Sequence, residues 1–294
     1  MKPAPFAYAK ARSVEHVIEL LAGGEARVLA GGQSLMPTLN MRLSAPRLVV
    51  DINRIGGLSE ITRRDGALEI GALVRHAEAE NSELIARHAP LIARAMPHIG
   101  HPAIRNRGTI GGSIAFADPA AELPACLLAL GGEVEIAGPD GRRVVKADAF
   151  FKGLFETALS SSDVLTAIRI PAATPDTRVG FAEFSRRLGD YAMVGLAACA
   201  RAYPNGLGDV RLAFFGIGMT PVRARAAEDA LTGAAAKAGW NDASLHKARW
   251  NQVLAALDQD LDPTDDVQAS AKLKKHLAGV LLKRVLGQLL EPRL

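Results

Sequence analysis

The sequence predicts an α+β chain in two parts that meet near residue 175. Three observations predict it. Up to Pro171, short apolar runs of strand length alternate with helical stripes. The segment PAATPDT (171–177) then combines small residues and two prolines with no hydrophobic anchor, the composition of a connector. Beyond it, FAEFSRR, MVGLAACARAY and VRLAFFGIG read as three strands of an antiparallel sheet, and two helical patterns follow.

Each element has a local reason. In SVEHVIELLA (13–22), Ser13 is the N-cap, Val14, Val17, Ile18 and Leu21 form the apolar stripe, and Gly23-Gly24 ends the helix. ARVLA (26–30) and LVVDI (48–52) are buried strands. LMPTLNMRL (35–43) between them is a helix that tolerates Pro37 in its first turn. Residues 1–55 therefore form a small α/β unit, and 56–175 a second one. In the second, EIT and ALEIGA flank Arg64-Asp65-Gly66, and Asp-Gly favours a type I′ hairpin turn. Residues 75–97 have helical periodicity broken at Pro90, and ELPACLLAL (122–130) is helical. VEIA and VVKA flank GPDG as another hairpin, and VLTAIRIP (164–171) is a strand closed by Pro171. In the last part, RARAAEDALTGAAAKAG (223–239) is an alanine-rich helix. AKLKKHLAGVLLKRVLGQLL places Leu273, Leu277, Val280, Leu281, Val285 and Leu289 on one face.

Composition narrows the function. A formal net charge of +4 comes from scattered basic pairs without interleaved aromatics, which argues against nucleic acid. No run reaches the roughly 18 apolar residues that span a bilayer, and the N-terminus lacks an apolar signal core, so a soluble, cytoplasmic protein is expected. Cys126 and Cys199 are isolated in apolar surroundings and read as core residues; an iron–sulfur cluster needs four thiolates or their equivalents. His98 and His101 form H-x-x-H with no third ligand nearby, so no metal site is expected.

Two glycine pairs stand out, LAGGQSL (29–35) and GTIGGS (108–113). Glycine admits positive φ and lets backbone N–H groups approach an anion, so two such loops could clamp one pyrophosphate, with Ser34, Thr109 and Ser113 adding hydroxyls. Glycine pairs also simply mark turns, and either stretch alone leaves both readings open. No P-loop is present, FFGIGMTP departs from G-x-G-x-x-G at Pro221, and no G-x-S-x-G elbow occurs.

Taken together, LAGGQSLMPTL (29–39), IRNRGTIGGSIAFADPAAELPA (104–125), RRLGDYAMVGLA (186–197) and FFGIGMTPVRA (214–224) resemble the FAD-binding medium subunits of molybdenum hydroxylases, over nearly the whole chain. The resemblance implies a two-subdomain FAD-binding fold of the vanillyl-alcohol-oxidase/PCMH type over 1–175 and the family's C-terminal domain over 176–294. It implies that Leu29, Ala30, Gly31, Gly32, Gln33, Ser34 and Leu35 wrap the FAD diphosphate, and that Thr109, Ile110, Gly111, Gly112 and Ser113 meet it from the other side. Glu122 would hydrogen-bond a ribityl or ribose hydroxyl, where many relatives have Asp. Asp118 stands nearby as a ligand or helix N-cap. Tyr191 would stack on the flavin ring, and Leu165 would pack near it.

Gln33 and the absence of His or Cys beside the glycines imply noncovalent FAD. Some relatives place a Lys just before the third signature; residues 181–184 read FAEF, with no Lys, and Arg186 and Arg187 read as surface positions that could substitute for it. The implied role is electron transfer. Molybdopterin would sit on a large partner subunit and two [2Fe–2S] clusters on a small one, in a dimer of heterotrimers that feeds an external acceptor. No side chain of this chain is expected to act as a catalytic acid or base. Substrates implied for the large subunit are N-heteroaromatics, aldehydes, aromatic acyl-CoA esters and carbon monoxide. Two alternatives stay open at this point: a stand-alone flavin oxidase or reductase of the same fold, and a scaffold protein that lost FAD.

Overall fold

The computed structural model of the chain describes residues 2–204, 206–235 and 243–291. The first unit runs β1 (Ala7–Lys10), α1 (Val14–Leu21), β2 (Ala26–Leu29), α2 (Leu35–Asn40) and β3 (Leu48–Asp51). Its three strands are parallel in the order β1-β3-β2, as expected where helices make the crossovers. Ser13 caps α1 by accepting the His16 N–H at 3.2 Å.

The second unit contains β4 (Ile61–Arg64), β5 (Ala67–Gly71), α3 (His76–Glu80), α4 (Glu83–His88), α5 (Pro90–Ala95), α6 (Pro102–Arg105), α7 (Ile110–Phe116) and α8 (Glu122–Leu130). It continues with β6 (Glu133–Gly138), β7 (Gly141–Lys146), α9 (Ala147–Phe150), β8 (Phe151–Gly153), β9 (Glu156–Thr157) and β10 (Val164–Pro171). Its main sheet is antiparallel in the order β4-β5-β10-β6-β7. Asp65 and Gly66 both have positive φ, 50° and 75°, which makes the expected type I′ turn. Pro90 starts α5 rather than kinking a long helix, because proline's missing N–H matters least at the first helical position. The GTIGGS stretch opens α7, a helix its glycines hide from sequence patterning.

The last part holds β11 (Thr177–Phe184), β12 (Val194–Tyr203), β13 (Gly206–Phe215), β14 (Val222–Arg223), α10 (Arg225–Ala235), α11 (Ala243–Asp260) and α12 (Ala271–Leu290). The sheet order is β11-β12-β13-β14, so the expected three antiparallel strands gain a short fourth. Arg223 belongs to β14, not to the alanine-rich helix. Its guanidinium pairs with Glu228 of α10 at 2.5 and 2.6 Å, and Glu228 also accepts the Leu212 N–H at 2.7 Å. Residues 236–239 of the expected helix lie outside the described residues.

The buried face of α12 differs from the expected one. Leu281, Val285 and Leu289 are buried, but with Lys274, Ala278, Leu282 and Leu286, while Leu273 and Val280 are exposed. Leucines are dense enough there to form two adjacent stripes. Packing on β11 and β12 selects one of them, and Asp266 makes the buried Lys274 tolerable at 2.7 Å.

One core spans both parts: Leu123 and Leu127 of α8 join Ala197, Ala213 and Phe215 of the last sheet. Arg211 of β13 locks this contact. It donates to the carbonyls of Ala129 and Leu128 at 3.0 and 2.9 Å, where the last turn of α8 needs donors, and pairs with Asp148. Cys126 is buried and Cys199 nearly so, and burial pushes both thiols up, Cys199 to about 11.

Candidate functional site

The first glycine loop leaves β2 where the Leu29 carbonyl takes its last sheet bond, from Ile52 at 3.1 Å. Gly32 then turns the chain with φ of 73°, a value L side chains rarely adopt. The turn is stabilised through carbonyls. Gln33 Nε2 donates to Gly31 O at 3.3 Å, Met36 N to Gly32 O at 3.1 Å, and Thr38 Oγ1 to Ser34 O at 2.8 Å. The N–H groups of Gly31, Gly32, Gln33, Ser34 and Leu35 donate to no acceptor among the described residues. Consecutive N–H groups on a turn of this kind form a concave donor surface for an anion.

The second loop is built differently. Thr109 caps α7 by accepting the Gly112 N–H at 3.1 Å. Ile110 N donates to Val74 O, Gly111 N to Ala72 O and Ser113 N to Thr109 O, all within 3.1 Å. The backbone N–H groups of residues 110–113 are thus taken up by acceptors of the chain itself, whereas those of residues 31–35 are not. The first-turn donors of α7 are already satisfied by the chain, and Ser113 in that turn is half-buried. Ile110 is fully buried in the core with Ile114, and Leu165 of β10 lies in that same core.

The two loops abut backbone to backbone. A Cβ on Gly31 would stand 2.3 Å from the Arg107 carbonyl oxygen and 2.9 Å from the Gly108 Cα; one on Gly112 would stand 2.7 Å from Thr109 Oγ1 and 4.0 Å from the Ala30 Cβ. Residues roughly eighty apart in the chain thus form one surface, and glycine is required at Gly31 by the closeness of approach.

Beyond α7, Ala117 caps the helix with φ of 52°, and the Asp118 carboxylate accepts the Ala120 N–H at 2.9 Å. Asp118 therefore closes a turn; the N-cap of α8 is Ala121. Burial pushes the Asp118 carboxyl up. Glu122 opens α8 almost fully buried, and burial, with Glu183 and Asp118 as negative neighbours, lifts its carboxyl to about 8. Tyr191 is exposed on the loop between β11 and β12, with Asp118 and Glu122 in electrostatic reach. Arg186 and Arg187 on that loop are exposed, so they are surface residues.

Residues 4–173 match the FAD-binding domain of molybdopterin dehydrogenases, and residues 180–289 match the C-terminal domain of CO dehydrogenase flavoproteins. The chain belongs to the flavoprotein medium-subunit family of the molybdenum hydroxylases. It is 38% identical to the 6-hydroxypseudooxynicotine dehydrogenase complex subunit alpha of Paenarthrobacter nicotinovorans, over 99% of this chain and 96% of that one. To the carbon monoxide dehydrogenase medium chain of Hydrogenophaga pseudoflava it is 34% identical over 98% of each. The solved carbon monoxide dehydrogenase of that organism superposes with a TM-score of 0.92, covering 98% of each chain at 34% identity. Quinoline 2-oxidoreductase from Pseudomonas putida 86 superposes with 0.89, again at 98% coverage, and 33% identity. The family's FAD-binding domain is thus present, and the expected α+β architecture of an FAD-binding domain followed by the flavoprotein C-terminal domain is observed.

In this medium-subunit fold, the residues that brace the glycine loops are ones the motifs do not mention. Asn53 Nδ2 donates to Ala30 O at 2.9 Å and to Asp51 Oδ1 at 2.7 Å. Arg75 Nη2 donates to Asn53 Oδ1 at 2.6 Å, and its Nη1 donates to the Arg107 carbonyl. Asp51 also accepts from the Tyr8 hydroxyl at 2.5 Å. Burial disfavours the Asp51 anion, but these hydrogen bonds outweigh burial and hold its carboxyl below the usual range. The only sequence signal for this brace is Asp51-x-Asn53 at the end of a buried strand. His76 lies under Gly108, its imidazole lowered to about 4 by burial. No helix among the described residues is long and apolar enough to cross a membrane.

Proposed function

We propose that this chain is the FAD-carrying electron-transfer subunit of a heterotrimeric molybdenum hydroxylase. It would take electrons from [2Fe–2S] clusters on a small partner subunit, fed by a molybdopterin-bearing large subunit, and pass them to an external acceptor. The observation that carries the reading is the row of N–H groups at residues 31–35, presented beside the second glycine loop in a chain of this family. These donors suit a diphosphate. The Ser34 and Ser113 hydroxyls, with the polar groups at Asp118 and Glu122, suit the sugar and ribityl oxygens. When bound, FAD supplies the exchange between one-electron donors and two-electron acceptors.

The chain's own work is to bind and aim. Asn53 and Arg75 hold the two loops at one separation, so the donor surface is pre-formed rather than assembled on binding. Tyr191 lies exposed on its loop, where its ring can stack on the flavin and limit access to it. Residues 29–35 contain no His or Cys, and both cysteine thiols are away from the loops in the core, which supports noncovalent attachment. A division of the chain near residue 175 follows the end of β10 at Pro171 and the start of β11 at Thr177. The proposed assembly is a dimer of heterotrimers in the cytoplasm.

Acid precipitation of the purified chain tests the reading. FAD in the supernatant at near one per chain is expected, and co-purification with molybdenum- and iron-containing partners follows. Colour retained in the pellet would mean a covalent flavin and favour a stand-alone oxidase. A colourless chain that takes up no added FAD would overturn the flavin reading.

A further inference from the structure

Helix α7 has two faces. Ile110, Gly111, Ile114 and the cap residue Ala117 are buried, whereas Gly112, Ser113 and Phe116 are half-buried. Gly112 and Ser113 precede Phe116 by four and three residues, so the three share one stripe of the helix. The first turn of that stripe abuts the first glycine loop, since a Cβ on Gly112 would stand 4.0 Å from the Ala30 Cβ. Phe116 lies about 6 Å further along the axis at 1.5 Å per residue, a length comparable with an extended ribityl chain. Phe155, from the turn between β8 and β9, packs on it with ring centroids 5.0 Å apart and planes tilted by 52°.

Phe155 is out of place by local rules. Gly153 pairs with Glu156, so Leu154 and Phe155 form a two-residue turn. Phe155 has φ of 56°, a left-handed conformation that glycine or asparagine adopts readily and a bulky L residue does not. The base of the hairpin holds it there. Phe151 pairs with Thr157, Phe150 is fully buried, and the Phe150 carbonyl accepts the Ala158 N–H at 2.8 Å. Burial does not offset the strain, because Phe155 is 51% exposed and Leu154 beside it is exposed too. Strain of this kind persists where function uses it. We propose that the Phe116–Phe155 pair is the surface on which the isoalloxazine ring of the bound nucleotide stacks, and that Phe155 is kept in its strained turn for that contact. This rests on the FAD reading above and adds the ring's own wall to it. A planar ring stacks on aromatic side chains and has two faces. Tyr191, exposed on its loop with Asp118 in electrostatic reach, is the residue for the other face.

The test uses the full apo-chain with FAD and with ADP, which shares the adenosine diphosphate of FAD but has no isoalloxazine. Phe155→Gly removes the ring and suits the positive φ. FAD affinity, followed by flavin fluorescence, is expected to fall about three- to tenfold. ADP affinity, followed by calorimetry, stays at the parent value. The urea midpoint of the apo-chain is no lower than the parent's, because glycine relieves the strain. Phe155→Tyr keeps an aromatic face and is expected to keep the parent FAD affinity. Phe155→Leu keeps apolar bulk but offers no flat ring, so it repeats the FAD-specific loss if the glycine variant does not fold. A merely structural Phe155 gives another pattern. A lower midpoint in Phe155→Gly, parent-like FAD affinity, or FAD and ADP affinities that fall together would each overturn the proposal alone. A parent chain that takes up no FAD would overturn the flavin reading, and the proposal with it.

Discussion

Gly31→Ala isolates the contact between the two glycine loops. Gly31 has no positive φ, so the substitution adds no backbone strain of its own. The added Cβ, however, would lie 2.3 Å from the Arg107 carbonyl oxygen, 2.9 Å from the Gly108 Cα and 3.0 Å from the Arg107 carbonyl carbon. All three are backbone atoms, and the carbonyl is tied to Arg75, so no flexible side chain can yield. Reaching ordinary van der Waals contact requires the loops to part by about 1 Å. Overpacking of this kind costs about 1–3 kcal/mol. If the parting also misaligns the donors at 31–35, FAD affinity falls by roughly five- to a hundred-fold at about 1.4 kcal/mol per decade. Titration of the apo-chain with FAD, followed by flavin fluorescence, gives the ratio, and thermal unfolding of the apo-chain separates loss of fold from loss of site. Gly23→Ala, with nothing within 4 Å of the added carbon, is the control and should match the parent. Parent-like FAD affinity in Gly31→Ala would refute the reading of these loops as one pre-formed binding surface.

Arg75→Met removes both tethers between the loops while keeping most of the side-chain volume. It should weaken FAD binding about tenfold or more, with little change in the far-ultraviolet circular dichroism. Gly112→Ala places a Cβ 2.7 Å from the hydroxyl that caps α7, so apo-chain stability should drop by about 1 kcal/mol in urea unfolding. Arg211→Met uncaps α8 and breaks its link to Asp148; a loss of about 1–2 kcal/mol is expected by the same assay, and a parent-like midpoint would discount the interdomain lock. His76 binds its proton less tightly folded than unfolded, so its neutral form contributes stability above pH 6.5 that is lost as pH falls toward about 4. His76→Leu should therefore flatten the acid limb of stability against pH over that window, by up to about 3 kcal/mol.

Much of the architecture was legible because it rests on local causes. Asp65-Gly66 makes its hairpin turn from its own φ preferences, Ser13 caps α1 from three residues away, and Gly32 turns the first loop from its own backbone freedom. The resemblance in the glycine motifs located the loops for the same reason: they are short strings with fixed neighbours. Less of α12 was readable, since a leucine-rich helix offers two faces and only the sheet beneath it chooses one. α11, with a weak apolar stripe, left no pattern to read.

The division of labour between the loops was out of reach altogether. Whether residues 110–113 have donors to offer depends on the carbonyls of Ala72 and Val74, which a strand end brings there from far up the chain. Likewise Asn53 and Arg75 brace Ala30 and Arg107, and Glu183 meets His98, only because separate elements converge. From the chain alone come the elements, the turns and the chemical kind of the site, since backbone preference and side-chain type act over a few residues. The loop separation, the satisfied and unsatisfied donors and the burial of Glu122 were decided by tertiary structure, because burial and contact between distant residues exist only once the chain has packed.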